Sequence, residues 1–192
     1  MYEYFFDEHL EHWYIIMETG PCFKDLWNFI GDKGKLDEEQ SRKIFTQLLK
    51  TILALFDRNI SHEDIKPENV LIDTSDEHNL PIRVIDFEHA LVCSPKDMYK
   101  SRRKTGGTTD LLPPECVNAG KCASGPDTVW CLGLLLHDML HGQVNTKAGK
   151  PPRINKKLSH NARSLLSDLL EVDPLYRANL SEDILRHPWF QE

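Results

Sequence analysis

Hydrophobic and polar positions alternate over two short stretches near the start of the chain and then change to helical spacing. Tyr2 to Phe6 and Trp13 to Met17 are aromatic and β-branched runs separated by the polar DEHLEH segment, which is typical of a β-hairpin. After a break at GPCF, Asp25 can cap a short helix through Ile30, which GDKG ends. Asp37 then begins a long amphipathic helix, so the chain continues mainly as helix.

The middle of the chain contains two apolar runs that predict strands. NVLID and IRVIDF flank the polar turn TSDEHN. A loop rich in Lys, Arg, Thr and Gly is expected from Ser94 to Thr109, and helix resumes after PPE. Val129 to Leu140 is apolar on nearly every side, as in a buried helix. QVNTKAGKPPRINKK is polar, basic and proline-containing, which predicts a loop, and two last helices are expected at Ser159 to Glu171 and Ser181 to His187.

Composition excludes some classes of function. The net charge of −7, from 23 bases and 30 acids, argues against nucleic-acid binding and is compatible with basic partners. The longest apolar runs, such as WCLGLLL, are too short to span a bilayer, and the acidic N-terminus does not resemble a signal peptide. The five cysteines lack a CxxC pair and are expected to be free thiols, which favours a cytoplasmic or nuclear location. Nothing here indicates an oligomeric state.

The segment SHEDIKPEN carries the residue types that phosphoryl transfer needs. Asp64 could orient an attacking hydroxyl, Lys66 could contact the transferring phosphate, and Asn69 could bind Mg²⁺. Asp86, at the end of the next strand, would be a second Mg²⁺ ligand, and Mg²⁺ needs few protein ligands beside phosphate oxygens. The alternative for this loop alone is a polar turn between a helix and a strand.

Further motifs in a fixed order favour phosphoryl transfer. HxDxKxxN is followed by NVLID, IDF, GTTDLLPPE, VWCLG and DPLYRA. This series resembles the C-terminal lobe of eukaryotic protein kinases. METGPCFKDLWNFI, which resembles a lengthened, proline-bearing hinge, and the closing RHPWFQE are most similar to the Pim serine/threonine kinases. The resemblance covers nearly the whole chain, from about Tyr2 to the end.

The resemblance implies an α+β, protein-kinase-like fold in one partial domain over residues 1–192. Residues 1–18 would be residual strands of the N-terminal lobe, 19–24 the hinge, and 25–192 a mainly helical C-terminal lobe. The implied activity is transfer of the ATP γ-phosphate to Ser or Thr of protein substrates, with ATP and Mg²⁺ as cofactors. The alternative is a pseudokinase or truncated kinase that acts as a binding scaffold without catalysis of its own.

The resemblance also assigns roles by position. Asp64 would be the catalytic base, Lys66 the phosphate contact, and Asn69 and Asp86 the Mg²⁺ ligands. Thr108 matches the threonine that hydrogen-bonds the catalytic Asp and Lys in serine/threonine kinases. The residues expected to bind the nucleotide are Glu18, Thr19 and Pro21 of the hinge, Asp25 near the ribose, Glu68, and Leu71 at the pocket floor. The residues expected to be structural are His62 beneath Phe87, and Glu115 in an ion pair with Arg177.

Two departures from the kinase pattern concern the nucleotide. No glycine-rich loop, strand lysine or helix glutamate fits upstream of Tyr2, so half of the cleft is expected to be missing and the hairpin edges exposed. DFE replaces the usual DFG, and Glu88 is expected to be solvated rather than a third metal ligand.

Glu63 stands where most kinases have Arg, whereas the following segment is basic at Lys100, Arg102, Arg103 and Lys104. We hypothesise that Glu63 pairs with one of these bases and holds the segment without phosphorylation. Phosphate at Ser101 or Thr105 would then weaken the pairing. A solvated basic loop is the alternative. The acids near the cleft, Asp25, Glu63 and Glu68, would suit basic peptides.

The sequence HDMLH, from His137 to His141, differs by one residue from the HExxH helix of zinc proteases. A general base there would be Asp138, which is one methylene shorter than Glu, and no third ligand is evident in the sequence. Two ordinary histidines at a helix end are the favoured interpretation.

Overall fold

The computed structural model describes residues 3–17, 20–103, 106–143 and 147–192. Within these ranges the strands are β1 (Glu3–Asp7), β2 (His12–Ile16), β3 (Phe23–Asp25), β4 (Ile60–Ser61), β5 (Val70–Asp73), β6 (Ile82–Val84) and β7 (Leu91–Val92). The α-helices are α1 (Leu26–Lys33), α2 (Glu38–Phe56), α3 (Pro95–Met98), α4 (Pro114–Ala119), α5 (Ser124–His141) and α6 (His160–Leu169). The 3₁₀ turns are Pro67–Asn69, Thr109–Leu111, Glu182–Arg186 and Pro188–Gln191.

The predicted N-terminal hairpin is confirmed. β1 and β2 pair antiparallel from Glu3 opposite Ile16 to Asp7 opposite His12. The Asp7 carboxylate accepts hydrogen bonds from two backbone N–H groups of the turn, and Phe5 stacks on Tyr14 across the strands with ring centroids 5.1 Å apart. In the part of the chain that the structure describes, these strands pair only with each other, and side chains on both faces are exposed.

A second sheet links the region after the hairpin to the segment SHEDIKPEN, named the catalytic loop below. β5 is the central strand and pairs antiparallel with β3 and β6. The sequence predicts β5 and β6 but not β3, because three residues are too few to show alternation. Asp25 ends β3 and caps α1 by accepting the Asn28 N–H at 2.8 Å. The helix runs to Lys33, three residues beyond the predicted end at Ile30.

The core lies between α2 and α5. Asp37 caps α2 as predicted, and the apolar side of α2, including Phe45 and Leu48, is fully buried. The buried helix predicted at Val129–Leu140 is confirmed and extends over Ser124–His141. Trp189 packs edge-on against Phe45 from the end of the chain. α5 is buried along nearly its whole length, and α2 and α6 pack against it.

The closing part of the chain corrects one prediction. α6 lies within the predicted helix Ser159–Glu171, with Ser159 as its cap. The predicted last α-helix is instead a 3₁₀ turn over Glu182–Arg186, and the residue before Pro188, His187, ends it. No helix in the described residues is long and apolar enough to cross a membrane. The expected α+β class is confirmed.

The expectation of five free cysteines is wrong. Cys116 and Cys122 form a disulfide, with Cα atoms 5.0 Å apart. Gly120 ends α4 in the left-handed region at φ 64° and turns the chain, which brings Cys122 back beside Cys116. Cys22, Cys93 and Cys131 are not part of a disulfide. The cysteine argument for a reducing compartment therefore loses part of its basis.

Candidate active site

The carboxylate of Asp64 is the centre of a hydrogen-bonded cluster. One oxygen, Oδ2, lies 2.7 Å from the Lys66 Nζ. The other, Oδ1, accepts the backbone N–H of Thr108 at 2.7 Å and its hydroxyl at 2.8 Å. The Thr108 hydroxyl in turn accepts from Lys66 Nζ at 3.0 Å. The fold thus brings together three predicted catalytic residues although Thr108 lies 44 positions after Asp64.

Asn69 completes the cluster from the end of the 3₁₀ turn. Its amide nitrogen donates to the backbone oxygen of Asp64 at 2.9 Å and to the Asp64 carboxylate at 3.2 Å. Both bonds use the nitrogen, which leaves the amide oxygen for a cation. The Asn69 carbonyl accepts the Ile85 N–H at 3.0 Å and so joins this loop to the segment that carries Asp86.

Local contacts set the charges in the cluster. Burial raises the pKa of Asp64, but hydrogen bonds from Lys66 and Thr108 outweigh it and hold this pKa below its ordinary value. Burial lowers the pKa of Lys66, but the bond to Asp64 and the nearby charges of Glu68 and Asp86 leave it raised. Asp64 is therefore ionised at neutral pH, and Lys66 carries its positive charge.

Asp86 is exposed just after β6, in the left-handed region at φ 67°. A non-glycine residue in this region is uncommon, and such residues concentrate at functional sites. The charge of Asp86 acts on Lys66. A carboxylate and an amide oxygen are ligand types that suit Mg²⁺ when phosphate oxygens supply its other ligands. An apolar cavity of about 680 Å³ lies beside Asp86 and is lined by residues of the hairpin end and of 84–88, including Met17 and Val84.

The residues predicted to bind the nucleotide are spread more widely than the cluster around Asp64. Leu71 lies opposite Asp25 in the pairing of β5 with β3. Glu68 is exposed beside the cluster. Pro21 lines a different cavity, of about 300 Å³, against Phe29. The predicted hinge residues Glu18 and Thr19 lie outside the described residues, and the nucleotide roles of all six remain predictions.

His62 packs against Phe87 as expected, with ring centroids 4.7 Å apart. Its Nε2 hydrogen-bonds the Ile85 carbonyl at 3.0 Å, and its Nδ1 accepts the Asp64 N–H at 3.4 Å. These partners require the neutral ring, and burial lowers the pKa of His62 accordingly.

Glu63 forms the hypothesised ion pair, and its partner is Arg102. The Glu63 Oε2 lies 2.7 Å from an Arg102 guanidinium nitrogen, and Oε1 accepts the Ser61 hydroxyl at 2.6 Å. Arg102 also donates to the Ser124 hydroxyl at 3.0 Å. Burial raises the pKa of Glu63, but bonds from Ser124 and Ser61 and the charge of Arg102 outweigh it, so the pKa lies below its ordinary value.

This pairing removes Glu63 from the three acids expected to suit basic peptides, because its side chain is only 5% exposed and cannot meet a substrate. The segment is also fixed by its backbone, since Arg102 and Cys122 exchange N–H···O bonds of 2.9 Å. The contacts of Ser61, Ser124 and Cys122 with this ion pair were not predicted from the sequence, because no spacing there relates these residues to Glu63. Of the hypothesised phosphorylation sites, Ser101 is exposed and Thr105 lies outside the described residues.

Glu115 and Arg177 form the expected ion pair with two parallel bonds of 2.7 and 2.9 Å. The Arg177 side chain is fully buried, donates to three backbone carbonyls as well, and lies 5.0 Å over the Trp130 ring. This pair fixes α4 against α5. Glu88 is 69% exposed and lies 3.3 Å from His89, in agreement with a solvated side chain.

The histidines of HDMLH lie at the end of α5 and stack with ring centroids 3.8 Å apart. The His137 Nε2 bonds the Arg153 carbonyl at 3.2 Å. The His141 Nδ1 donates to the His137 carbonyl at 2.9 Å, and its Nε2 accepts the Asn155 N–H at 2.9 Å. The nitrogens that a zinc ion would need on His141 are therefore both used, which favours the structural interpretation.

Sequence comparison assigns the class of protein that this fold and cluster indicate. The protein kinase domain family matches residues 1–190, so the chain belongs to the protein kinase family.

Three relatives illustrate the range of similarity. The chain is 35% identical to serine/threonine-protein kinase pim-2 of Danio rerio over 187 residues, which cover 95% of the chain and 58% of that protein. It is 32% identical to the SNF1-related protein kinase catalytic subunit alpha KIN12 of Arabidopsis thaliana, covering 92% of the chain and 36% of the relative. For the carbon catabolite-derepressing protein kinase of Candida albicans the identity is 29%, and the coverage is 93% and 29%. The chain therefore spans little more than half of pim-2 and about a third of the other two.

Proposed function

We propose that this chain acts as a serine/threonine protein kinase of Pim-like type, which transfers the ATP γ-phosphate to a Ser or Thr hydroxyl of a protein. The observation that carries the proposal is the contact of Asp64 with both Lys66 and Thr108. The similarity to pim-2 supports the Pim-like assignment. Exposed Glu68 and half-exposed Asp25 near the cleft suit basic residues in the substrate.

Each residue of the cluster has a step to perform. The ionised Asp64 accepts a hydrogen bond from the substrate hydroxyl and orients its oxygen toward the phosphate. Lys66 places its positive charge where negative charge develops on the transferring group. Thr108 holds both side chains in position, and Asn69 and Asp86 would hold Mg²⁺. When bound, Mg²⁺ neutralises the charge of the phosphate oxygens.

Thermal unfolding with Mg²⁺ and ATP tests the nucleotide site. Ligand at a hundred times its Kd stabilises the folded state by about 2.7 kcal/mol, which raises the Tm by roughly 5–10 °C for a chain of this length. We expect Asp86→Asn to lose this shift and Glu88→Gln, an exposed neighbour, to keep it. Equal shifts for both variants would contradict the assignment of Asp86 as a metal ligand.

Phosphate transfer to a Ser-containing peptide tests the activity itself. We expect transfer by the unmodified chain and by Asp57→Asn, which changes an exposed carboxylate at the end of α2, but not by Asp64→Asn. Binding of Mg²⁺ and ATP without any transfer would favour the binding-scaffold alternative.

A further inference from the structure

The segment 147–157, KAGKPPRINKK, is a concentrated basic surface on an acidic protein. It carries five bases and no acid, whereas the whole chain has a net charge of −7. All five are exposed, namely Lys147, Lys150, Arg153, Lys156 and Lys157. The charge of this segment, named the basic segment below, is therefore opposite to that of the molecule as a whole.

The start of the basic segment is tied to the active-site side of the molecule. The Gly149 N–H donates to the Leu112 carbonyl at 2.8 Å. Gly149 has φ 72°, and a Cβ there would lie 3.2 Å from Val117 of α4, so the backbone packs closely on that helix. Leu112 follows Thr108 by four residues, a path of at most about 14 Å. Gly149 therefore lies within roughly 20 Å of Thr108, a distance that about six extended residues cover.

The far end of the basic segment is held by the histidine pair. His137 bonds the Arg153 carbonyl and His141 accepts the Asn155 N–H, while the two rings stack on each other. Pro151 and Pro152 restrict the backbone between these anchors. Because the segment is fixed at both ends, a ligand that binds its bases does not have to order a flexible loop.

The stretch beside the start of the basic segment offers it little negative charge, and Asp138 of α5, near its far end, is buried. Residues 109–117 contain two acids, and one of them, Glu115, is engaged by Arg177. Asp110 is the other acid of this stretch, and it is exposed. The bases thus form a surface whose charge is complementary to an acidic ligand.

We propose that the basic segment binds an acidic stretch of the protein substrate, within about six residues of the phosphorylated Ser or Thr. The occupant is identified by charge complementarity and by the link through Leu112 to the residue that positions Asp64. This inference rests on the proposed function for the identity of the ligand, since the acidic stretch is part of the substrate. The same site would then select substrates with basic residues at the cleft and acidic residues beyond it.

Fluorescence anisotropy tests the inference without requiring turnover. The probes are fluorescein-labelled 15-residue peptides with one central Ser and four Glu, starting at the third residue on its N-terminal or its C-terminal side. Matched peptides carry Gln for Glu. We expect at least one Glu peptide to bind more tightly than its Gln counterpart, and 0.5 M NaCl to remove the difference.

Two triple variants with the same net charge locate the binding. We expect Lys147→Gln, Lys150→Gln and Lys157→Gln together to raise the Kd of the Glu peptide about tenfold, as three exposed ion pairs of ordinary strength would. The control, with Lys50, Arg58 and Lys96 changed to Gln, removes exposed bases elsewhere and should change the Kd by less than about twofold. Equal losses in both variants, or no preference for Glu over Gln, would overturn the inference.

The outcome separates the two proposals. Tight binding of the Glu peptide without phosphate transfer to any peptide would support the basic segment as a docking surface and refute the kinase activity. Phosphate transfer without a preference for Glu would support the kinase activity and refute the basic segment as a docking surface.

Discussion

Removal of the Arg102 side chain should release the basic stretch around Arg102 from the catalytic loop. Breaking a buried ion pair typically costs about 3–5 kcal/mol, because an unpaired charge stays buried. Here Arg102 is 31% exposed, and Ser61 still bonds Glu63, so the cost should be smaller. We expect Arg102→Ala to lower the free energy of unfolding by about 2–3 kcal/mol, since hydrogen bonds to charged groups contribute about 1.5–3 kcal/mol each. That loss corresponds to a Tm roughly 4–12 °C lower.

A double-mutant cycle with Glu63→Gln separates the pair from its surroundings. In chemical denaturation, the double variant should lose at least about 1 kcal/mol less than the sum of the single variants, because the carboxylate is absent when Arg102 is removed. Arg103→Ala, an exposed base on the same segment, should stay within about 0.5 kcal/mol of the unmodified chain. Limited proteolysis near residue 102 should accelerate in Arg102→Ala and not in the control.

Single changes that are additive within about 0.3–0.5 kcal/mol would refute a direct interaction between Glu63 and Arg102. An ion pair at this place also predicts a pH dependence. Because the folded pKa of Glu63 is lowered, the contribution of the pair is present above the unfolded pKa of about 4.3 and is lost as the pH falls through the folded pKa. A cycle energy unchanged between pH 7 and pH 2 would contradict an ionic pair.

Three further results are expected. Thr108→Val removes the hydroxyl that bridges the catalytic carboxylate and ammonium, and we expect phosphate transfer to fall about 100-fold with nucleotide binding retained, as measured by single-turnover kinetics. Arg177→Met leaves a carboxylate without its bidentate partner and should cost about 3–5 kcal/mol in denaturant titration. Burial, His137 and Lys35 lower the folded pKa of His141, so the free energy of unfolding should fall as the pH drops below about 6.5, and less steeply in His141→Gln.

The cysteines give a prediction that mass spectrometry can check. Alkylation of the denatured, unreduced chain should label Cys22, Cys93 and Cys131, and prior reduction should raise the number of labelled cysteines from three to five. Five labels without reduction would show that Cys116 and Cys122 are free thiols.

The sequence identified the catalytic loop because its functional residues are close together in the chain. Asp64, Lys66 and Asn69 fall within six residues between a helix and a strand, so their spacing already restricts where they can point. Thr108 was assigned only through resemblance, since nothing in its local sequence relates it to residues 44 positions earlier. The same holds for Glu115 and Arg177, which are 62 positions apart.

Three other features could not be predicted, because each depends on contacts with residues outside its own local sequence. β3 is defined by its partner strand rather than by its own three residues. The sequence left four neighbouring bases as candidate partners of Glu63, and the structure places Arg102 beside it, where the Arg102 backbone also pairs with Cys122. The disulfide likewise depends on the left-handed turn at Gly120, which brings the two thiols together.

The sequence by itself thus determined the local features: the hairpin, the buried helix α5, the caps at Asp25 and Asp37, and a loop with phosphoryl-transfer chemistry. These follow from periodicity and from residue types at short spacing, which act before the chain has a tertiary structure. Only the tertiary structure decided which distant groups meet. It buried Glu63 against Arg102 and fixed the basic segment by the histidines of α5, because such contacts depend on how the packed helices bring separate loops together.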